Sequence, residues 1–338
     1  MKLIKTEDAV GCMLCHDITQ IIPGVVKGPV FRKGHVVTKE DIPVLLSVGK
    51  EHLYVWEKQE GMLHEDEAAE VLRQVCQGDN MTASDPKEGK IELTAKMDGL
   101  LKIDHEKLNA VNGMGQMVIA SRHGNFPVKK GDKIAGMRVV PLVIEKEKMD
   151  RVKEICAGGP LFRLLPYRKM KAGIVTTGSE VFHGRIEDQF TPVVIEKLKE
   201  FGVETMGNTL CSDDSDMAAD AVRSWIAQGA DMVVCTGGMS VDPDDRTPLA
   251  IRKAADEIIT YGAPVLPGAM FMLAYKGEIP VLGLPGCVMY AKRTIFDLAL
   301  PRIVAGERLK AEDFTVLGEG GLCLNCPVCT FPNCGFGK

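Results

Sequence analysis

Short apolar runs that break into small and acidic residues recur through the second half of the chain. One covers Lys171–Thr177 and breaks at Gly178-Ser179-Glu180; another covers Asp231–Thr236 and breaks at Gly237-Gly238-Met239-Ser240. Runs of this length bounded by glycine read as strands buried on both faces. Between them a third strand pattern, Val203–Leu210, is flanked by two amphipathic helices. The first places Phe190, Val193, Val194, Leu198 and Phe201 on one stripe around a Thr191-Pro192 start and stops at Gly202. The second aligns Met217, Ala218, Ala221, Val222, Trp225 and Ile226 and stops at Gly229. Thr247-Pro248 opens another helix, and two short strands end in Leu266-Pro267-Gly268 and Leu284-Pro285-Gly286. A last helix carries Val288, Ala291, Ile295, Leu298 and Ile303. Such a β-α-β-α-β series predicts an α/β fold with a mostly parallel sheet. Its strands send their carboxyl ends to one edge, where ligands bind.

The first half is patterned differently. Residues 1–57 alternate apolar segments with glycine turns and end in the strand-like His52–Trp56, with a short helix across Thr38–Gly49. A clearer helix spans 64–77, with Ala68, Val71, Leu72 and Val75 on one face. Between 90 and 145 the chain reads as short β segments: Ile91–Ala95, Gly99–Ile103, Gln116–Ala120 and Met137–Ile144. Residues 146–170 read as a basic connection. The expected division is therefore 1–78, a small β-rich module at 79–146, an α/β domain at 147–310 and a cysteine-rich tail at 311–338.

Charge and cysteine usage narrow the function classes. A net charge of −5 over 338 residues argues against a partner bound through its phosphate backbone, hence against nucleic acid. No signal core follows Met1 and no run of about 18 apolar residues exists, so neither secretion nor a membrane span is expected. Eleven cysteines in such a chain point to a reducing, cytoplasmic setting, with thiols or metal rather than disulfides.

Three groups could carry chemistry. Gly237 and Gly238 expose backbone N–H groups that suit an anion, or simply turn the chain from strand to helix. Asp242, Asp244 and Asp245 follow directly; they would repel a phosphate unless a cation such as Mg2+ lay between, or else form an acidic turn ahead of the next helix. Glu180 and the pair Asp213/Asp214 follow other strands, so the topology brings acids from three loops to one edge. Near the end, Cys323, Cys326, Cys329 and Cys334 lie within twelve residues, with two Cys-x2-Cys gaps. That spacing suits zinc or an iron–sulfur cluster, against the alternative of unrelated free thiols. Cys12-Met13-Leu14-Cys15-His16 has the form of a haem-attachment motif but sits in a chain without the export signal that chemistry needs.

Taken in order, Thr177-Gly178-Ser179-Glu180, the Gly184–Asp188 loop, Asp213-Asp214, Gly237-Gly238-Met239-Ser240-Val241 with Asp245, and the Pro-Gly turns at 267–268 and 285–286 resemble molybdopterin-binding domains across residues 171–305. That superfamily holds adenylyltransferases, molybdotransferases and competence-damage-inducible, nucleotide-pyrophosphatase-like proteins. The Gly-Gly-Met-Ser-Val run resembles the molybdotransferases, as do Glu7–Gly11, Leu14–Ile18 and Phe31–Gly49; Asp245-Arg246-Thr247-Pro248 is more similar to the other two branches. The chain departs from the molybdotransferases at Ala269-Met270 and Cys287-Val288, where they carry Lys-Pro and Asn-Pro, and in lacking their central region.

The resemblance implies a three-layer sandwich that binds molybdopterin or adenylated molybdopterin. Catalytic Glu180, Asp214 and Asp245 would work with Mg2+ and molybdate. The pterin and nucleotide would lie on Thr177, Gly178, Ser179, Gly237, Gly238, Met239, Ser240, Asp242, Pro267, Gly268, Pro285 and Gly286. It implies molybdate insertion with AMP release by a homo-oligomer. A non-catalytic carrier serving a molybdoenzyme client and a nucleotide pyrophosphatase are the alternatives.

Overall fold

A computed structural model describes residues 2–22, 26–55, 60–240, 242 and 245–338. Trp56, Val241 and Asp244, each part of an expectation above, lie outside the described residues. The chain forms two compact units: Met1–Lys96, Ile103–Arg122 and Gly131–Arg163 in one, Met97–Lys102, His123–Lys130 and Leu164–Lys338 in the other. This replaces the four consecutive segments expected from sequence. Residues 79–146 are divided between the two units: Met97–Lys102 and His123–Lys130 fall in the second, where Phe126 is buried in the core.

In the first unit, Lys2–Lys5 pairs antiparallel with His52–Val55 over a small core of Ala9, Leu14, Ile18, Val37, Leu45 and Leu53. A four-stranded antiparallel sheet joins Met81–Ala83, Lys90–Ala95, Lys133–Val139 and Met117–Ser121. The 90–145 stretch is not wholly β. Asp104 accepts the Lys107 N–H and caps a helix over His105–Gly113. The expected Met137–Ile144 strand is two strands, ending at Val139 and resuming at Val143. The basic connection holds a helix, Lys146–Ile155.

The second unit carries a six-stranded sheet. Its strands are β1 (Lys171–Thr177), β2 (Glu204–Cys211), β3 (Met232–Thr236), β4 (Glu257–Tyr261), β5 (Met272–Lys276) and β6 (Ile279–Leu284), in the order β2-β1-β3-β6-β5-β4. The pairs from β2 to β6 are parallel, and β5 is antiparallel to both its neighbours. Leu266-Pro267-Gly268 thus belongs to the turn between β4 and β5 rather than to a strand end. The helices are α1 (Ser179–Phe182), α2 (Phe190–Lys199), α3 (Ser215–Ala227), α4 (Thr247–Ala254), α5 (Ile295–Val304) and α6 (Ala311–Thr315).

Alternate strand residues feed two separate cores, as period-two side chains must. Ile174, Val234, Leu273 and Leu282 pack with Val194 and Leu198 of α2 and with Phe296 and Leu300 of α5. Val175, Val233, Cys235 and Val281 pack with Ala218 and Val222 of α3 and Ile251 of α4. Trp225 of α3 lies directly on the sheet: a Cβ on Gly173 would come within 2.3 Å of its ring and one on Gly207 within 2.9 Å. Its indole N–H donates to Ile174 O at 3.1 Å. Between α2 and α5, the buried Lys197 ammonium lies 2.8 and 2.9 Å from the two Asp297 oxygens. Asp297 also accepts from the Thr294 N–H and from Arg293.

Candidate active site

Register aligns the strand ends. Thr177 lies opposite Cys211, Thr176 opposite Thr236, and Thr236 opposite Leu284, so β1, β2, β3 and β6 finish level with one another. The loops that follow therefore emerge side by side. They enclose a cavity of about 810 Å³. Among the predicted residues, Thr177, Gly178, Ser179, Glu180, Gly237, Gly238, Met239, Ser240, Asp242, Asp245 and Gly286 all line it.

The glycine loop is shaped by close approach. Gly237 has φ +84, and a Cβ there would sit 2.1 Å from Thr177 O. Beneath it, the Thr177 and Thr247 hydroxyls are 2.7 Å apart, tying the end of β1 to the start of α4. Two carboxylates already hold loop amides: Ser240 N–H donates to Asp245 Oδ2 at 2.8 Å, and Ser179 N–H donates to Asp213 Oδ2 at 2.9 Å. The Ser240 amide, expected to face an anion, is therefore directed at Asp245. Cys211 ends β2 and Cys235 lies one residue before the end of β3, and burial raises both thiols, Cys235 to about 12.

Four predicted residues do not line the cavity. Asp214 caps α3, accepting the N–H groups of Asp216 at 2.8 Å and Met217 at 3.3 Å. Those backbone bonds hold its carboxyl below the usual range, with Lys253 and Arg246 adding to the effect. The carboxylate that faces the cavity from this loop is its neighbour Asp213. Pro267 and Gly268 form a turn against α5, where a Cβ on Gly268 would meet Ile295 at 2.5 Å. Pro285 precedes the 3-10 turn Gly286–Met289, whose two end residues reach the cavity.

Sequence reasoning left out the opposite wall, made by Ile186, Glu187, Gln189 and Phe190. Asp188 sets that wall: it accepts the N–H groups of Phe190 at 2.9 Å and Thr191 at 3.1 Å and a 3.0 Å bond from Asn208. The Gly184–Asp188 loop is part of the resemblance, but its side-chain network leaves no trace in spacing.

The lining holds Glu180, Glu187, Asp213, Asp242 and Asp245, and no Lys, Arg or His among the described residues. None of its acids converges with two others into a metal-ligand group, and the same is true of the tail thiols, among the described residues. Cys323 and Cys334 are half-buried against the α/β core, whereas Cys326 and Cys329 are exposed. Among the described residues no helix is long and apolar enough to cross a membrane.

Residues 173–305 match the family described as "Probable molybdopterin binding domain", and residues 3–57 match a domain of unknown function, DUF8806. A CinA-like protein of Mycobacterium sp. (strain MCS) is 36% identical over 83 residues, 25% of this chain and 20% of that protein. One from Mycolicibacterium vanbaalenii is 40% identical over 77 residues, 23% of this chain and 18% of that protein. The match thus spans about a fifth of the curated relatives' length. Among solved structures, the molybdopterin biosynthesis enzyme MoaB of Thermus thermophilus is 23% identical with a TM-score of 0.36, covering 42% of this chain and 99% of that one. The protein CinA of Thermoplasma acidophilum is 20% identical with a TM-score of 0.31, covering 35% and 89%.

Proposed function

We propose, with residues 173–305 belonging to the molybdopterin-binding superfamily and bearing CinA-like features, that this protein binds molybdopterin or its adenylated form in the cytoplasm. It acts there in molybdenum cofactor biosynthesis, by placing molybdate on the pterin dithiolene with release of AMP. One observation carries the reading. Four level strand ends leave an 810 Å³ cavity, within the range of about 300–1,000 Å³ typical of small-molecule sites, edged by Gly237 and Gly238. The helices over both cores are, on this reading, the outer layers of a three-layer sandwich.

The cavity's charge fits a particular arrangement. Its acidic lining, without a basic residue among those described, would repel a pyrophosphate by itself. Mg2+ commonly takes one or two protein carboxylates and completes its shell with phosphate and water, so no three-acid cage is required. Glu180, Asp242 and Asp245 are the candidates to hold it; when bound it would neutralise the pyrophosphate. Asp213 and Asp245 keep the Ser179 and Ser240 loops in shape, and a free carboxylate oxygen on either could orient water or molybdate.

A second reading, hydrolysis of a nucleotide pyrophosphate in the same cavity, rests on the resemblance of Asp245-Arg246-Thr247-Pro248 to the competence-damage-inducible branch. One experiment separates these. The protein is incubated with adenylated molybdopterin and Mg2+, with and without molybdate, and AMP is followed. Molybdate-dependent AMP is expected; AMP formed equally well without molybdate favours the pyrophosphatase, and tight binding without AMP makes the protein a carrier. Asp245→Asn is expected to lower AMP release about a hundredfold while pterin binding persists. Failure to bind any pterin would overturn all but the pyrophosphatase.

A further inference from the structure

The cysteine-rich segment is fixed at its ends and bare in its middle. At one end Leu266 N–H donates to Gly321 O and Cys323 N–H donates to Leu266 O, both at 2.8 Å. At the other, Gly337 N–H donates to Gly320 O at 2.9 Å, and Phe331 packs between Phe126 and Phe336 with centroids 5.9 and 6.2 Å away. Cys323 and Cys334 are thereby seated on the α/β core. Residues 324–330 of the loop between them form no helix or strand and are all exposed, Leu324 79% and Val328 77%. Burial does not account for the course of that loop, and it presents Cys326 and Cys329 to solvent.

A lysine reaches the same place. Lys292 Nζ donates to Cys326 O at 3.3 Å and Pro327 O at 2.8 Å, and the Arg293 guanidinium lies 5.0 Å from the centre of the Phe331 ring.

We propose that Cys323, Cys326, Cys329 and Cys334 together bind one thiophilic metal centre, a zinc ion or an iron–sulfur cluster. Binding draws Cys326 and Cys329 onto the two seated thiols, which the described residues do not yet bring together. Each thiol gives its proton to solvent and a sulfur lone pair to the metal. A zinc site so formed carries a net charge of about −2, which the Lys292 ammonium beside the Cys326 carbonyl offsets in part. The metal supplies the cohesion that so short a loop cannot obtain from apolar burial.

The test uses the full chain, reduced and free of oxygen. In one arm it receives Zn2+; in the other, equal amounts of ferrous and ferric iron with sulfide, which together supply the oxidation level of a four-iron cluster; each is then desalted and its metal measured per chain. About one zinc, or about four irons with thiolate-to-iron absorption, is expected. The double variant Cys326→Ser/Cys329→Ser alters only exposed side chains. It is expected to keep the wild-type circular dichroism while retaining about tenfold less metal. Wild type that holds neither metal, or a folded double variant that holds as much as wild type, would overturn the proposal. This outcome is independent of whether the 810 Å³ cavity binds a pterin.

Discussion

Glu65 opens the helix Glu65–Cys76, where the helix dipole favours a carboxylate by roughly 0.5 kcal/mol. Burial outweighs that. The residue is 7% exposed, and desolvation, with the charge of Asp66 beside it, raises its pKa from 4.5 to about 7 against the pull of Arg138 and Lys33. A folded-state acid with a raised pKa binds its proton more tightly than the unfolded chain. Its contribution is therefore favourable below about pH 4.5, is lost as pH rises towards 7, and stays lost above that. The whole effect is at most about 3 kcal/mol. Glu65→Gln should leave stability unchanged at pH 4 and raise it by about 2 kcal/mol at pH 8 relative to wild type. Urea denaturation of both proteins across that range checks this; a difference that does not vary with pH would refute it.

At the scale of elements, the turn from β3 to α4 depends on a missing side chain. Gly237→Ala would put a methyl group 2.1 Å from Thr177 O at φ +84, so the loop must move. A loss of about 3 kcal/mol is expected in thermal melts, together with loss of pterin binding. Gly184→Ala, at φ +66 but with open space around it, should cost only about 1 kcal/mol. Equal costs for the two would mean that backbone conformation alone, not the approach to Thr177, makes Gly237 necessary. The inner parallel strands β1, β3 and β6 were legible because burial on both faces writes an unbroken apolar run, as in Met232–Thr236. His105–Gly113 was not, since only Val111 of that helix is buried and no apolar stripe marks it. Adjacent acids posed a different problem. Whether Asp213 or Asp214 faces the cavity is decided by which one caps α3, and a sequence of two aspartates does not record that choice.

At the scale of the whole chain, a boundary near 146 looks natural because composition changes there, yet the core of the α/β unit recruits residues from before it. Phe126, 6% exposed, packs in the cluster that holds Phe296, Phe331 and Phe336, and Tyr167 donates its hydroxyl to Gly99 O at 3.2 Å. Periodicity within a segment reveals strands; it does not reveal which distant core a strand serves. A fragment of residues 164–338 retains every strand of the six-stranded sheet but lacks Met97–Lys102 and His123–Lys130. Losing the Phe126 ring alone should cost about 3–5 kcal/mol, a large part of what a domain of this size commands. The fragment is therefore expected to melt well below the corresponding transition of the full chain, and Phe126→Ala in the full chain should reproduce much of that fall. Calorimetry of the three proteins is the check. A fragment that melts with the full chain would place the boundary where composition suggested, and would make residues 97–102 and 123–130 accessory to the α/β core rather than part of it.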